Sequence, residues 1–143
     1  MRVVKIAVPF VWFGMVLAIS FMEAPLKFQA PGIDLPLGLG IGRLVFFALN
    51  KMEIICAVLL FVAFLWRRPN PLTQTVLLGL VLLILGVETL WLLPVLDARA
   101  EQVISGSAPP FSAMHFVYIV LDGLKVMALL ALGIITVRHH FGQ

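Results

Sequence analysis

Residues 72–93 read LTQTVLLGLVLLILGVETLWLL. Apolar side chains cover every face of a helix over its middle turns, the pattern of a helix surrounded by lipid or enclosed by other helices. A bilayer's hydrocarbon core is crossed by about 20 predominantly apolar residues in helical form. This stretch has that length and a single acid, Glu88. The run is too long for a strand and lacks the two-residue alternation of a membrane barrel, so it reads as a transmembrane helix.

Working outward, three more stretches meet the same criterion: residues 6–22, 43–66 and 113–137. Together the four predict an all-α polytopic membrane protein, one four-transmembrane-helix bundle over residues 1–143 with both termini cytoplasmic. Composition agrees. The chain is 62% hydrophobic and 12% charged, with mean hydropathy +1.13, which excludes a soluble globular domain and a disordered chain. One cysteine, Cys56, makes neither an intramolecular disulfide nor a multi-thiolate metal site. Ten Lys and Arg scattered between apolar runs form no basic patch, so the partner implied is the lipid bilayer and no nucleic acid.

The first span begins like a signal peptide, with Arg2 and Lys5 ahead of an apolar run and Ala18-Ile19-Ser20 as a small-x-small site. The run is long and crowded by Trp12, Phe13 and Phe21, which predicts a retained helix. Orientation follows the Lys and Arg of short loops. Arg2, Lys5, Arg67, Arg68 and Arg138 flank one side and Lys27, Arg43 and Arg99 the other. The larger set predicts the cytoplasmic side of a bacterial cytoplasmic membrane. Arg67-Arg68-Pro69-Asn70-Pro71 reads as a proline-stiffened turn. Residues 23–42, apolar and rich in Pro and Gly, read as an interfacial loop over the bundle mouth, and residues 94–110 as an exposed loop.

A charge at the centre of a membrane helix costs about 2.5–3.5 kcal/mol on insertion scales, so such residues face protein or a water-filled cavity. In the fourth span His115, Tyr118, Asp122 and Lys125 recur at spacings of three and four. At about 100° per residue they share an arc of about 80°. Arg43, Phe46, Asn50 and Glu53 repeat that spacing in the second span. Asp122 and Lys125 are placed to pair within their helix, and Glu53 to meet Lys125 from the second span. Lys51 points about 120° away from the Asn50/Glu53 arc and has either its own partner or a snorkelling path. The seven acids (Glu23, Asp34, Glu53, Glu88, Asp97, Glu101, Asp122) all fall in the outer half or beyond it. The pattern predicts a polar chamber open outward and closed by an apolar inner half.

Asn50, Glu53, Glu88, His115, Tyr118, Asp122 and Lys125 are therefore the candidate site, read as a ligand or ion network. Asp122 and Glu53 are its charge-carrying acids and Lys125 their counter-ion, with His115, Tyr118 and Glu88 at the entrance. The bland reading is a set of paired charges that fixes helix register. Catalytic residues are not assigned. The sequence has neither H-E-x-x-H nor the Glu-x-x-His pair of a di-iron bundle, no second cysteine, and its Ser105-Gly106-Ser107 lies in a loop. A metal is left open: His115 is the one histidine in a span, with Asp122 two turns away and Glu53 or Glu88 as donors from other helices. Haem ligation by two histidines would need a second chain. His139 and His140 extend the basic flank. The glycines of residues 38–42 follow no strand and read as close-packing positions rather than a phosphate loop.

Pro25-Leu26-Lys27-Phe28 after the first span, Trp91-Leu92-Leu93-Pro94 closing the third, and His115 with Asp122 seven residues later resemble the uncharacterised family of small four-helix membrane proteins that includes transmembrane protein 205. The resemblance implies four spans and a membrane location and brings no activity. Asp122 stands where members carry an amide. The functional expectation is binding or translocation of a proton or small cation, a homo-oligomer or a membrane-protein partner completing any path. The alternative is a non-catalytic accessory or scaffolding subunit of a larger membrane complex.

Overall fold

The computed structural model describes residues 1–66 and 71–141. Arg67, Arg68, Pro69 and Asn70, on which the expected turn and part of the charge asymmetry rest, lie outside the described residues. Among the described residues there are no strands, and four helical rods are long and apolar enough to cross a membrane: Arg2–Gln29, Leu35–Trp66, Leu72–Ile104 and Met114–Phe141.

The first rod joins α1 (Arg2–Val16), a π-helical stretch (Leu17–Glu23), the short α2 (Ala24–Leu26) and a 3₁₀ turn (Lys27–Gln29). The second is α3 (Leu35–Trp66). The third joins α4 (Leu72–Val87), a second π-helical stretch (Glu88–Leu92) and α5 (Leu93–Ile104). The fourth is α6 (Met114–Phe141). Both π-helical stretches run into a proline in the first turn of the next helix, Pro25 and Pro94. A proline offers no N–H and its ring crowds the carbonyl four residues back. Widening the preceding turn relieves that crowding without ending the rod.

This is why two expected loops are helical. The third rod continues past Pro94 to Ile104 and then stops at Gly106, whose φ of +86° suits a residue without a side chain. There Ser107 N–H bonds Gln102 O at 2.8 Å and Gly106 N–H bonds Val103 O at 3.1 Å, a Schellman closure. The second rod begins at Leu35 because Asp34 Oδ1 accepts the Leu37 N–H at 2.8 Å and caps it. Residues 38–42 are therefore helix, and their glycines admit the segment that crosses them. A Cβ on Gly38 would enter the Phe28 ring, and one on Gly42 would lie 2.8 Å from Lys27 Nζ.

The rods alternate in direction. Phe10 covers Gly133 and Phe21 approaches Gly123, so α1 and α6 run antiparallel. Lys5 sits over the Phe64 ring at 4.6 Å, and Arg43 reaches Asp97, so α3 is antiparallel to both its neighbours. One end of the bundle carries the termini, the other the turns at residues 30–34 and 105–113. The main apolar core (Trp12, Val16, Leu49, Leu60, Val81, Leu129 and Leu132 among others) fills the middle and the termini end. A smaller cluster around Leu92, Leu93 and Tyr118 lies toward the loop end. The apolar inner half expected from the sequence is corrected here: Lys5, Gln74 and Thr136 are buried in the termini half too. Large apolar side chains such as Leu44, Ile55, Val58, Leu83 and Met127 point outward, so the outer wall of the bundle is apolar as well.

Candidate functional site

Helical spacing places Asp122 and Lys125 one turn apart on the inward face of α6, and both are fully buried. Lys125 Nζ lies 2.8 Å from Asp122 Oδ1 and 2.6 Å from Glu53 Oε1, and it donates to Glu88 Oε2. An ammonium has three N–H donors, and here three carboxylates surround it. Glu53 comes from α3 and Glu88 from the third rod, at the first residue of its π-helical stretch. The first rod contributes Trp12, whose Nε1–H donates to Glu53 Oε1 at 2.8 Å. All four rods thus meet in one charged layer.

The layer is enclosed but not saturated. Glu88 Oε1 and Asp122 Oδ2 have no hydrogen-bond partner among the described residues, and Asp122 Oδ1 meets Lys125 as an ion pair without hydrogen-bond alignment. One oxygen from each of Glu53, Glu88 and Asp122 falls within 4.8 Å of the others. Three carboxylates against one ammonium leave a formal charge of −2 when all are ionised. An all-oxygen donor set of this kind suits a proton or a hard cation and lacks the nitrogen and sulfur ligands of a zinc or copper site.

Three of the expected network residues, Asn50, Tyr118 and His115, stand apart from this layer. Asn50 Nδ2 donates to Thr89 Oγ1 at 2.8 Å, tying α3 to the third rod one turn above Glu53. Tyr118 is buried edge-on against Phe46, with ring centroids 5.6 Å apart. His115 is exposed at the loop end, about 10 Å along α6 from Asp122 by helical rise. It is not among the carboxylates. Glu88, expected at the entrance, is instead 1% exposed in the centre of the cluster. The rod runs about eleven residues beyond the end expected at Leu93, so Glu88 sits deeper than its distance from that end implied. Arg43, on the same sequence stripe as Glu53, belongs to the rim. Its Nε lies 2.5 Å from Asp97 Oδ1 and its Nη1 pairs with Glu101. Lys51 is exposed on the outer wall of α3 with no partner among the described residues, as a snorkelling lysine would be.

The spacing of charged residues does not mark Trp12 or Thr89 as polar participants. Trp12 was legible: an indole N–H in the middle of a membrane helix needs an acceptor when buried. Thr89 gave no signal beyond its place beside Glu88.

Above the charged layer, toward the loop end, lies a cavity of about 650 Å³. Asp122 and Tyr118 line it at the end nearest the charged layer, with Phe21, Phe28, Phe46, Phe47 and Leu93 among its other lining residues. Arg43, Asp97, Arg99 and His115 line it toward the loop end, and Lys27 lines it from between the Phe28 and Phe46 rings. Arg43 pairs with Asp97 and Glu101, Lys27 with Glu23 at 3.5 Å, and Arg99 Nη2 donates to the Pro110 carbonyl at 2.6 Å. Comparison of the chain with protein-family models, with curated proteins and with solved structures finds no match.

Proposed function

We propose that this chain is a multi-pass protein of the cytoplasmic membrane, termini inward, that takes up a proton or small cation at the Glu53–Glu88–Asp122–Lys125 cluster from the loop-end cavity. One observation carries the reading. In a buried cluster with a formal deficit of two positive charges, Asp122 Oδ2 and Glu88 Oε1 have no partner among the described residues, and Asp122 lines the cavity. A buried carboxylate oxygen without a partner is costly, and an added positive charge relieves that cost. Lys125, ringed by three carboxylates, is the fixed counter-ion. Trp12 holds Glu53, leaving Asp122 and Glu88 as the acids free to respond. Four rods are few to build a path across the bilayer, so translocation would require a second copy or a membrane partner. The resemblance to the family of transmembrane protein 205 belongs to this proposal as a topology and adds no chemistry to it.

The test is infrared difference spectroscopy on the protein in liposomes, titrated by pH and then by sodium or potassium. Uptake at the cluster gives a carboxyl band that changes along the titration and that Asp122→Asn removes. If no carboxyl band responds to pH or to either cation, and Asp122→Asn with Glu88→Gln alters only thermal stability, the cluster is a structural lock. The protein is then better described as a scaffolding subunit.

A further inference from the structure

We infer that the loop-end cavity binds an apolar organic cation, a quaternary ammonium or a protonated amine with a hydrocarbon or aromatic body, with its charge toward Asp122. This rests on the reading of Asp122 as the group that responds to positive charge, and it names a class of ligand for the same site.

Size is the first argument. A proton or a bare inorganic cation needs little room, and one water accounts for about 30 Å³. The cavity holds about 650 Å³, within the roughly 300–1,000 Å³ of small-molecule sites. Its walls give the second. Phe21, Phe28, Phe46 and Phe47 line it, and aromatic faces attract cations most strongly where water is excluded. The protein already uses two of these rings in that way: Lys27 Nζ lies 5.6 Å from the centroids of both Phe28 and Phe46. Charge placement gives the third. The acids toward the loop end are paired with Arg43 and Lys27, whereas Asp122 is fully buried at the end nearest the charged layer with Oδ2 unpartnered. A cation that enters therefore finds its uncompensated counter-charge at that end.

Tetraphenylphosphonium and tetraphenylborate share a shape and differ in sign, so they separate charge selection from simple greasiness. Binding of each to the full-length protein in detergent is measured by equilibrium dialysis. The phosphonium is expected to bind saturably and the borate not. Asp122→Asn, nearly isosteric, should weaken phosphonium binding at least tenfold. Lys27→Met, far from the charged layer, should strengthen it several-fold by vacating the seat between Phe28 and Phe46. Equal binding of both ions, or unchanged phosphonium affinity in Asp122→Asn, overturns the inference. So does absence of saturable phosphonium binding. In that last case a pH-responsive infrared band at Asp122 would still stand, so loss of the ligand class is distinguishable from loss of the proton or cation site.

Discussion

Replacing Lys125 with Met removes the one ammonium on which three carboxylates converge and keeps most of the side chain's bulk. Nζ lies 2.6 Å from Glu53 and 2.8 Å from Asp122 and donates to Glu88, all at 1% exposure or less. Removing one partner of a buried ion pair typically costs about 3–5 kcal/mol, because it strands the other charge. Here three acids are stranded together, so the upper part of that range applies unless they take up protons. At roughly 3 °C per kcal/mol for a chain of this size, about 4–5 kcal/mol corresponds to a fall in unfolding midpoint of roughly 12–15 °C. Asp122→Asn has the opposite character. It leaves Lys125 with two carboxylates and halves the formal charge deficit, so its midpoint should stay within roughly 3 °C of the parent, about 1 kcal/mol. Combining Lys125→Met with Glu53→Gln, Glu88→Gln and Asp122→Asn replaces stranded charges by neutral groups and should recover most of the loss. The assay is thermal unfolding in one detergent, followed by intrinsic fluorescence. The reasoning fails if Lys125→Met unfolds within about 3 °C of the parent, or if Asp122→Asn destabilises as much as Lys125→Met.

Trp12→Phe keeps an aromatic ring of similar reach and deletes only the donor to Glu53. A hydrogen bond to a charged group contributes about 1.5–3 kcal/mol, so the midpoint should fall by a corresponding amount, less than for Lys125→Met, while Trp12→Phe made on the Glu53→Gln background should cost less. Gly38→Ala puts a methyl into the Phe28 ring and should destabilise by about 1–3 kcal/mol while making residues 24–29 more open to protease. Gly86→Ala meets nothing within 4 Å and should be neutral or stabilising by up to about 1 kcal/mol; the same unfolding scan separates the two.

The local features of this chain were readable one helix at a time. Four apolar runs gave four membrane-length helices, and the three-four spacing of Asp122 and Lys125 gave their shared face. The meeting of Glu53 with Lys125 also followed, because two amphipathic stripes in a small bundle have few places to point. What failed were the helix ends at Pro94 and at the glycines of residues 38–42. Proline and glycine usually mark a boundary. Here a π-helical turn absorbs Pro94, and close packing of Lys27 and Phe28 makes use of Gly38 and Gly42.

Sequence alone determined that these helices are apolar enough for a bilayer and which of their faces are polar, because a 3.6-residue period and the cost of burying charge act within one helix. Tertiary structure decided the depth at which the rods meet. That depth sends Glu88 to the charged layer and Arg43 to the rim, lets Trp12 reach Glu53, and leaves Asp122 beneath a cavity. Relative register depends on how side chains of different rods interlock, and no single rod carries that information.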